Sequence, residues 1–230
     1  MPLEQRVNID KKTLVLIWDI KESMERLNKN LKLSKSDELR LQKRKTAAHQ
    51  KQFLASRALL MEAGVSLGAL SFDKDGIPHL ESGQYISISH TRNLAGIALG
   101  NKILGFDLEL YRPKIEFIAN RFLNPNESFA LEGKRTLEKL TLIWTAKEAL
   151  YKAMKQKGII FSKQLIIEPF KWGDRNGSAK VIISDKIFDF SLKFIVEKTY
   201  CGTLAYRKKL NKKFVVKILK KHHYSIRLIF

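Results

Sequence analysis

The run Ile103–Leu110 sets apolar Phe106, Leu108 and Leu110 at every second position, with Asp107 and Glu109 between them. Successive side chains of a strand point to opposite faces, so this period fits a strand with one buried face and one face carrying two carboxylates. Farther along, Trp144, Glu148 and Lys152 recur at four-residue spacing, which a helix stacks on one side. A chain holding both periods has to pack sheet against helix.

The remaining pattern extends this alternation. Thr13–Trp18 is apolar and β-branched, and is expected to be a buried strand. Residues 21–33 have a weak helical period. Ser36 and Asp37 are expected to cap a long helix that runs to about Glu62 and ends at Gly64. Asp75-Gly76-Ile77-Pro78 is turn chemistry. Tyr85–Ser89, Ala95–Leu99 and Ile103–Leu110 then read as an antiparallel meander, closed by Pro113. A helix is expected over 114–122. Asn124 and Pro125 start a second helical pattern reaching Lys157 and Gly158, with a break near Gly133. Strands follow at Ala179–Ser184, Phe188–Val196, Gly202–Tyr206, Phe214–Leu219 and Tyr224–Phe230. This order favours α+β with antiparallel sheets over a parallel βαβ array. No Gly/Ser/Pro linker divides the chain, so a boundary near residue 102 must be tight.

Charge restricts the partners. The 230 residues carry a net +20 with a pI of about 10.0. Residues 1–103 hold 17 Lys/Arg against 11 Asp/Glu, and residues 104–230 hold 26 against 12. From Arg207 onward there are nine basic residues and no acid. Such a surface attracts polyanions: nucleic acid, an acidic protein, a phosphate-rich cofactor or anionic lipid. Cys201 is the single cysteine, which excludes an intrachain disulfide and a cysteine-based zinc site, and its alternating context suggests a buried strand. With no signal-like apolar run after Met1 and no stretch of the ~20 apolar residues that a bilayer span needs, the expectation is a soluble cytoplasmic protein.

By spacing alone, Asp107 and Glu109 fit an ordinary wet strand face, and Glu148 with Lys152 an ordinary surface ion pair. Trp144 on the same helix face argues for burial instead. Two adjacent carboxylates repel, and a hard divalent cation relieves that repulsion. Ser89-His90 ends a strand in a polar cluster, where His90 suits either a phosphate contact or a hydrogen-bonded turn. His222-His223 lies in the basic tail and reads as surface. No glycine-rich phosphate loop, nucleophile elbow or nucleic-acid-binding signature is present.

In this order, Ser89-His90, Gly105-Phe106-Asp107-Leu108-Glu109 and Trp144-Thr145-Ala146-Lys147-Glu148-Ala149-Leu150-Tyr151-Lys152 resemble the 4′-phosphopantetheinyl transferase superfamily, in its larger, two-lobed type. The resemblance spans roughly residues 45–160, including the helix around Lys51–Leu60. It implies two similar α+β lobes, 1–102 and 103–230, in a pseudo-two-fold arrangement. Each lobe would have an antiparallel sheet packed on a long helix, with coenzyme A in the cleft between them. The implied reaction moves the phosphopantetheine arm of coenzyme A to a serine of an acidic apo carrier protein. Adenosine 3′,5′-bisphosphate leaves.

The resemblance assigns roles. Asp107, Glu109 and Glu148 would hold Mg²⁺, and Glu148, directly or through a water, would take the serine proton. Lys152 would stabilise the leaving group. Ser89 and His90 belong to the coenzyme A site, with Lys51 or alternatively Arg57 beside the 3′-phosphate. Ile77 stands where the family commonly has lysine, which leaves either Lys74 to supply that charge or a lower affinity for coenzyme A, and Lys155 stands where a glycine is common. A monomer is the expected state and no nucleic-acid partner is expected. The rival reading is a basic protein that binds nucleic acid or an acidic partner on a degenerate transferase fold. A further reading has the tail on an anionic membrane.

Overall fold

The computed structural model describes residues 3–184 and 186–208. It runs through strands β1 (Leu3–Asp10) and β2 (Thr13–Asp19), then helices α1 (Met24–Asn28), α2 (Lys35–Gln42) and α3 (Ala47–Glu62). Strands β3 (Leu70–Phe72), β4 (Pro78–Leu80), β5 (Tyr85–Thr91), β6 (Leu94–Gly100) and β7 (Leu104–Leu110) follow. Next come helices α4 (Lys114–Phe117), α5 (Ala119–Phe122), α6 (Thr136–Met154) and α7 (Phe161–Gln164). Strands β8 (Leu165–Ile167), β9 (Asn176–Ile183), β10 (Lys186–Val196) and β11 (Tyr200–Arg207) complete the described chain.

Every ladder is antiparallel, so the fold is α+β. One sheet has the order β1-β2-β6-β5, a second β7-β11-β10-β9-β8, and β3-β4 is a separate hairpin. Strand period places the core. Leu16, Trp18, Ala95, Ile97 and Leu99 face α3, where they meet Phe53, Leu54, Leu59 and Leu60. The alternate residues Val15, Ile17, Leu94 and Ala98 face Leu104, Phe106, Leu108 and Leu204 of the second sheet. That sheet buries its other face under Leu142, Ala146, Ala149 and Leu150 of α6. The layers are therefore α3, sheet, sheet, α6. Phe106 and Leu108 are wholly buried, each contributing about 1.5–3 kcal/mol.

Several expectations are corrected. The expected meander does not form, because β7 leaves the β5-β6 hairpin and pairs with β11, Asp107 opposite Thr203. Side chains stitch the seam between the sheets instead. Ser87 Oγ accepts from Phe106 N at 2.9 Å and Ser89 Oγ from Leu108 N at 3.4 Å. The helix expected from Ser36 to Glu62 is two helices, α2 capped by Ser34 and α3 by Thr46. Asp37, expected as a cap, lies inside α2. The helix expected over 114–122 is interrupted at Ile118. Asn124 caps a short 3-10 segment, Pro125–Ala130, with a full capping box. The break near Gly133 is present, and α6 starts only at Thr136. It ends at Met154, short of Lys157, with Lys155 left-handed at φ 52°. Strands β1 and β8 had no expectation.

Cys201 is buried in β11, as expected. No helix among the described residues is long and apolar enough to cross a membrane. The expected strands Phe214–Leu219 and Tyr224–Phe230, His222-His223 and the basic tail beyond Lys208 lie outside the described residues.

Candidate functional site

Gly105 brings the two motifs together. A Cβ at this position would lie 2.0 Å from the Ala149 carbonyl oxygen and 2.6 Å from Ala153 N. Only a glycine lets α6 lie this close to β7. Two residues on, Asp107 meets Lys152 of α6, Nζ to Oδ1 at 2.6 Å. Lys152 also donates to the Phe106 carbonyl at 3.2 Å. Ser89 Oγ donates to the same Asp107 Oδ1 at 2.6 Å. Asp107 is 5% exposed, and its Oδ2 is buried with no hydrogen-bond partner.

Glu109 receives Thr91 Oγ1 at 2.8 Å and Arg112 Nη2 at 2.9 Å, both on Oε2. Burial nonetheless raises its pKa, the hydrogen bond from Thr91 opposing and Asp107 reinforcing. Glu148 is half-buried one turn before Lys152. Its carboxyl pKa is pushed up to about 7, first by burial and then by Asp107, with Lys152 opposing. Among the described residues, no three or more His, Cys, Asp and Glu side chains stand preassembled to hold a metal ion. Lys152 and Arg112 hold two of the acids in place. The donor chemistry still suits a hard cation: an unpartnered Asp107 Oδ2 lies beside two acids that burial keeps from ionising easily.

A cavity of about 370 Å³ opens beside Lys152, lined by residues on both sides of the β6–β7 crossing. Arg40, Arg44, Arg57 and His90 come from one side; Lys152, Lys155 and Lys157 come from the other. Asp75 is the one acid in its lining, paired with Lys157 at 2.5 Å. Arg57 is 2% exposed, and Asp37 neutralises it at 2.6 Å. Arg40 stacks on Phe72 at 3.8 Å and Arg44 on Phe53 at 4.4 Å. Burial first, then Arg57 and Arg40, lowers the pKa of Arg44. Cations in such excess over acids describe a site for a polyanion. A larger cavity of about 840 Å³, between α1 and α3, carries both signs of charge and lies away from the acids.

Of the residues singled out by sequence, His90, Lys152 and Arg57 line the cationic cavity, and Ile77 does too. Lys51 and Lys74 do not; the charge of Lys51 acts on Glu25 of α1. Ser89 supports Asp107. His90 is exposed at the end of β5, and its pKa is lowered, by desolvation first and then by Lys152, Arg44 and His49. Sequence reasoning missed Arg40 and Arg44, whose i, i+4 spacing at the end of α2 was the available signal, and also Lys157.

It also missed Lys147. This ammonium is fully buried and bonded to Glu127 at 2.8 Å and to the carbonyls of Phe122 at 2.6 Å and Phe161 at 3.1 Å. Glu127 in turn accepts from Asn124 N and Ile167 N. The pair ties α6 to the 3-10 segment, α7 and β8.

Comparison with known proteins bears out the resemblance at the level of the superfamily. Residues 103–210 match the sequence model of the 4′-phosphopantetheinyl transferase superfamily. A 4′-phosphopantetheinyl transferase of Bacillus subtilis is 31% identical over 93 residues, which are 39% of this chain. The chain spans 41% of that relative's length in the match.

Proposed function

We propose that this superfamily-like chain transfers the 4′-phosphopantetheine arm of coenzyme A to a serine of an acidic apo carrier protein. The observation that carries the reading is the meeting of Asp107, Glu109, Glu148 and Lys152 at the edge of a cation-lined cavity. The two sheet-and-helix halves would be lobes 1–102 and 103–230 in pseudo-two-fold relation, with coenzyme A in the cavity between them. All four ionisable residues are present in the sequence, and Lys152 bonds Asp107, which favours this reading over a degenerate binding protein.

The chain's own groups suffice for most of the chemistry. Arg40, Arg44, Lys155 and Lys157 attract the phosphates, and His90 donates a hydrogen bond. The serine oxygen attacks the phosphorus that bears the pantetheine arm; the bond from that phosphorus to the bridging oxygen breaks, and adenosine 3′,5′-bisphosphate departs. Glu148, with its pKa near 7, is matched to accept the serine proton directly or through a water. Lys152 would stabilise the charge that grows on the leaving phosphate. Asp107, Glu109 and Glu148 would hold Mg²⁺, which supplies charge neutralisation on the pyrophosphate when bound.

Asp107→Ala and Glu148→Ala should each lower carrier modification by at least about 10²-fold while leaving the circular dichroism spectrum and melting cooperativity intact. Full activity in either variant would refute these assignments.

A further inference from the structure

Six lysines and arginines line the cationic cavity, and three of them are paired with a carboxylate. Asp37 holds Arg57 and Asp107 holds Lys152, each at 2.6 Å. Asp75 holds Lys157 at 2.5 Å. The side chains of Arg57 and Lys152 are 3% and 29% exposed, whereas that of Lys157 is 78% exposed. A buried pair keeps its partner because separation strands a charge; a pair in water is weak and exchanges readily.

The third pair also differs in what it joins. Asp75 lies on the turn between β3 and β4, and Lys157 on the loop after α6. Among the described residues, no other ion pair connects the chain before residue 103 to the chain after it. Elsewhere the two halves meet through the apolar seam between the sheets and the hydroxyls of Ser87, Ser89 and Thr91. The acid is mounted rigidly. Asp73 Oδ1 accepts from Asp75 N and Ile77 N, both at 2.9 Å, and Gly76 between them takes φ 80°, which glycine adopts without strain. The lysine reaches across on an exposed four-carbon stem that is free to swing.

We propose that Asp75 and Lys157 form a clasp across the mouth of the cationic cavity, and that an entering phosphate-bearing ligand takes Lys157 from Asp75. This rests on the transfer reading above, in which that ligand is coenzyme A. The exchange adds a fourth lining cation to Arg40, Arg44 and Lys155, which have no ion-pair partner among the described residues. Asp75 is thus an internal competitor. It keeps Lys157 at the mouth of the empty cavity and lowers affinity for the ligand. An anion with several charges wins the exchange, because the other cations attract it as well.

The test is calorimetric titration of coenzyme A, at low ionic strength, into the wild type, Asp75→Asn, Lys157→Gln and the double variant. Both residues are exposed, so the fold is not at risk. Asp75→Asn frees Lys157 and is expected to tighten binding about threefold, the scale of one exposed ion pair. Lys157→Gln is expected to weaken binding by a similar factor. In the double variant Asp75→Asn has no lysine to release, so its affinity should match that of Lys157→Gln. A carboxylate that merely repels phosphate gives the same gain in both backgrounds. That equal gain, no gain in Asp75→Asn, or no binding by the wild type overturns the clasp. Carrier modification by the wild type, read by mass spectrometry, keeps the two claims apart. Transfer with additive variants overturns the clasp alone, whereas non-additive variants without transfer overturn the transfer reading alone.

Discussion

Replacing Lys147 by methionine should destabilise the protein severely without touching the cavity. The side chain is wholly buried and its ammonium makes three bonds, to Glu127 Oε2 and the Phe122 and Phe161 carbonyls. Methionine keeps most of the volume, so packing loss is small. What remains is a buried Glu127 carboxylate held by two backbone donors, Asn124 N at 2.7 Å and Ile167 N at 2.8 Å. Two carbonyls are also left without this donor. Breaking a buried pair by removing one partner costs about 3–5 kcal/mol. At about 2–4 °C per kcal/mol for a chain of this size, the melting temperature should fall by roughly 6–20 °C. Urea unfolding gives the free energy and a thermal scan the midpoint. A loss below about 1 kcal/mol would refute the reasoning.

Two further outcomes follow from the site. Gly105→Ala should push α6 off β7, because its Cβ would meet Ala149 O at 2.0 Å; a loss of about 3 kcal/mol, the upper end for overpacking, is expected in urea unfolding, and an unperturbed Gly105→Ala would contradict the close approach. In metal-free protein Glu148 keeps its proton to about pH 7 in the folded state, whereas the unfolded chain loses it near the ordinary carboxyl pKa of 4.5. Its contribution is therefore full below 4.5 and declines as pH rises through 7. The stability of the wild type relative to Glu148→Gln should fall across that window, and a flat difference would rule out the raised pKa.

Legibility in the sequence followed locality. Strand β7 was readable because apolar and acidic residues alternate along it, and the motif stretch of α6 because Trp144, Glu148 and Lys152 recur at four, although both elements are buried on nearly every side. The partner of β7 was not: β11 lies almost a hundred residues away, and no local pattern encodes that pairing. Strand β1 escaped notice because its sequence, LEQRVNID, carries little apolar alternation at the edge of a sheet. The break between α2 and α3 is hidden in a polar stretch that suits a helix, and Thr46 is a cap only once the chain turns there. Within the site, spacing alone left the acids and Lys152 as a wet strand face and a surface ion pair, and it was the ordered motifs that singled them out, Gly105 with them. Arg57 could be named but not its neutralisation by Asp37, and Lys147 stood in full view between Trp144 and Glu148 while its partner Glu127 depended on tertiary contact. Ile77 lines the cavity, and the cations around it, Arg40, Arg44 and Lys155, come together only on folding.

The most direct test of the central claim is intact-mass spectrometry of acidic apo carrier proteins after incubation with the purified chain, coenzyme A and Mg²⁺. The account predicts a carrier heavier by one phosphopantetheine arm, attached at serine, together with stoichiometric adenosine 3′,5′-bisphosphate and no product from Asp107→Ala. A folded protein that binds coenzyme A yet modifies no carrier in the panel would contradict it.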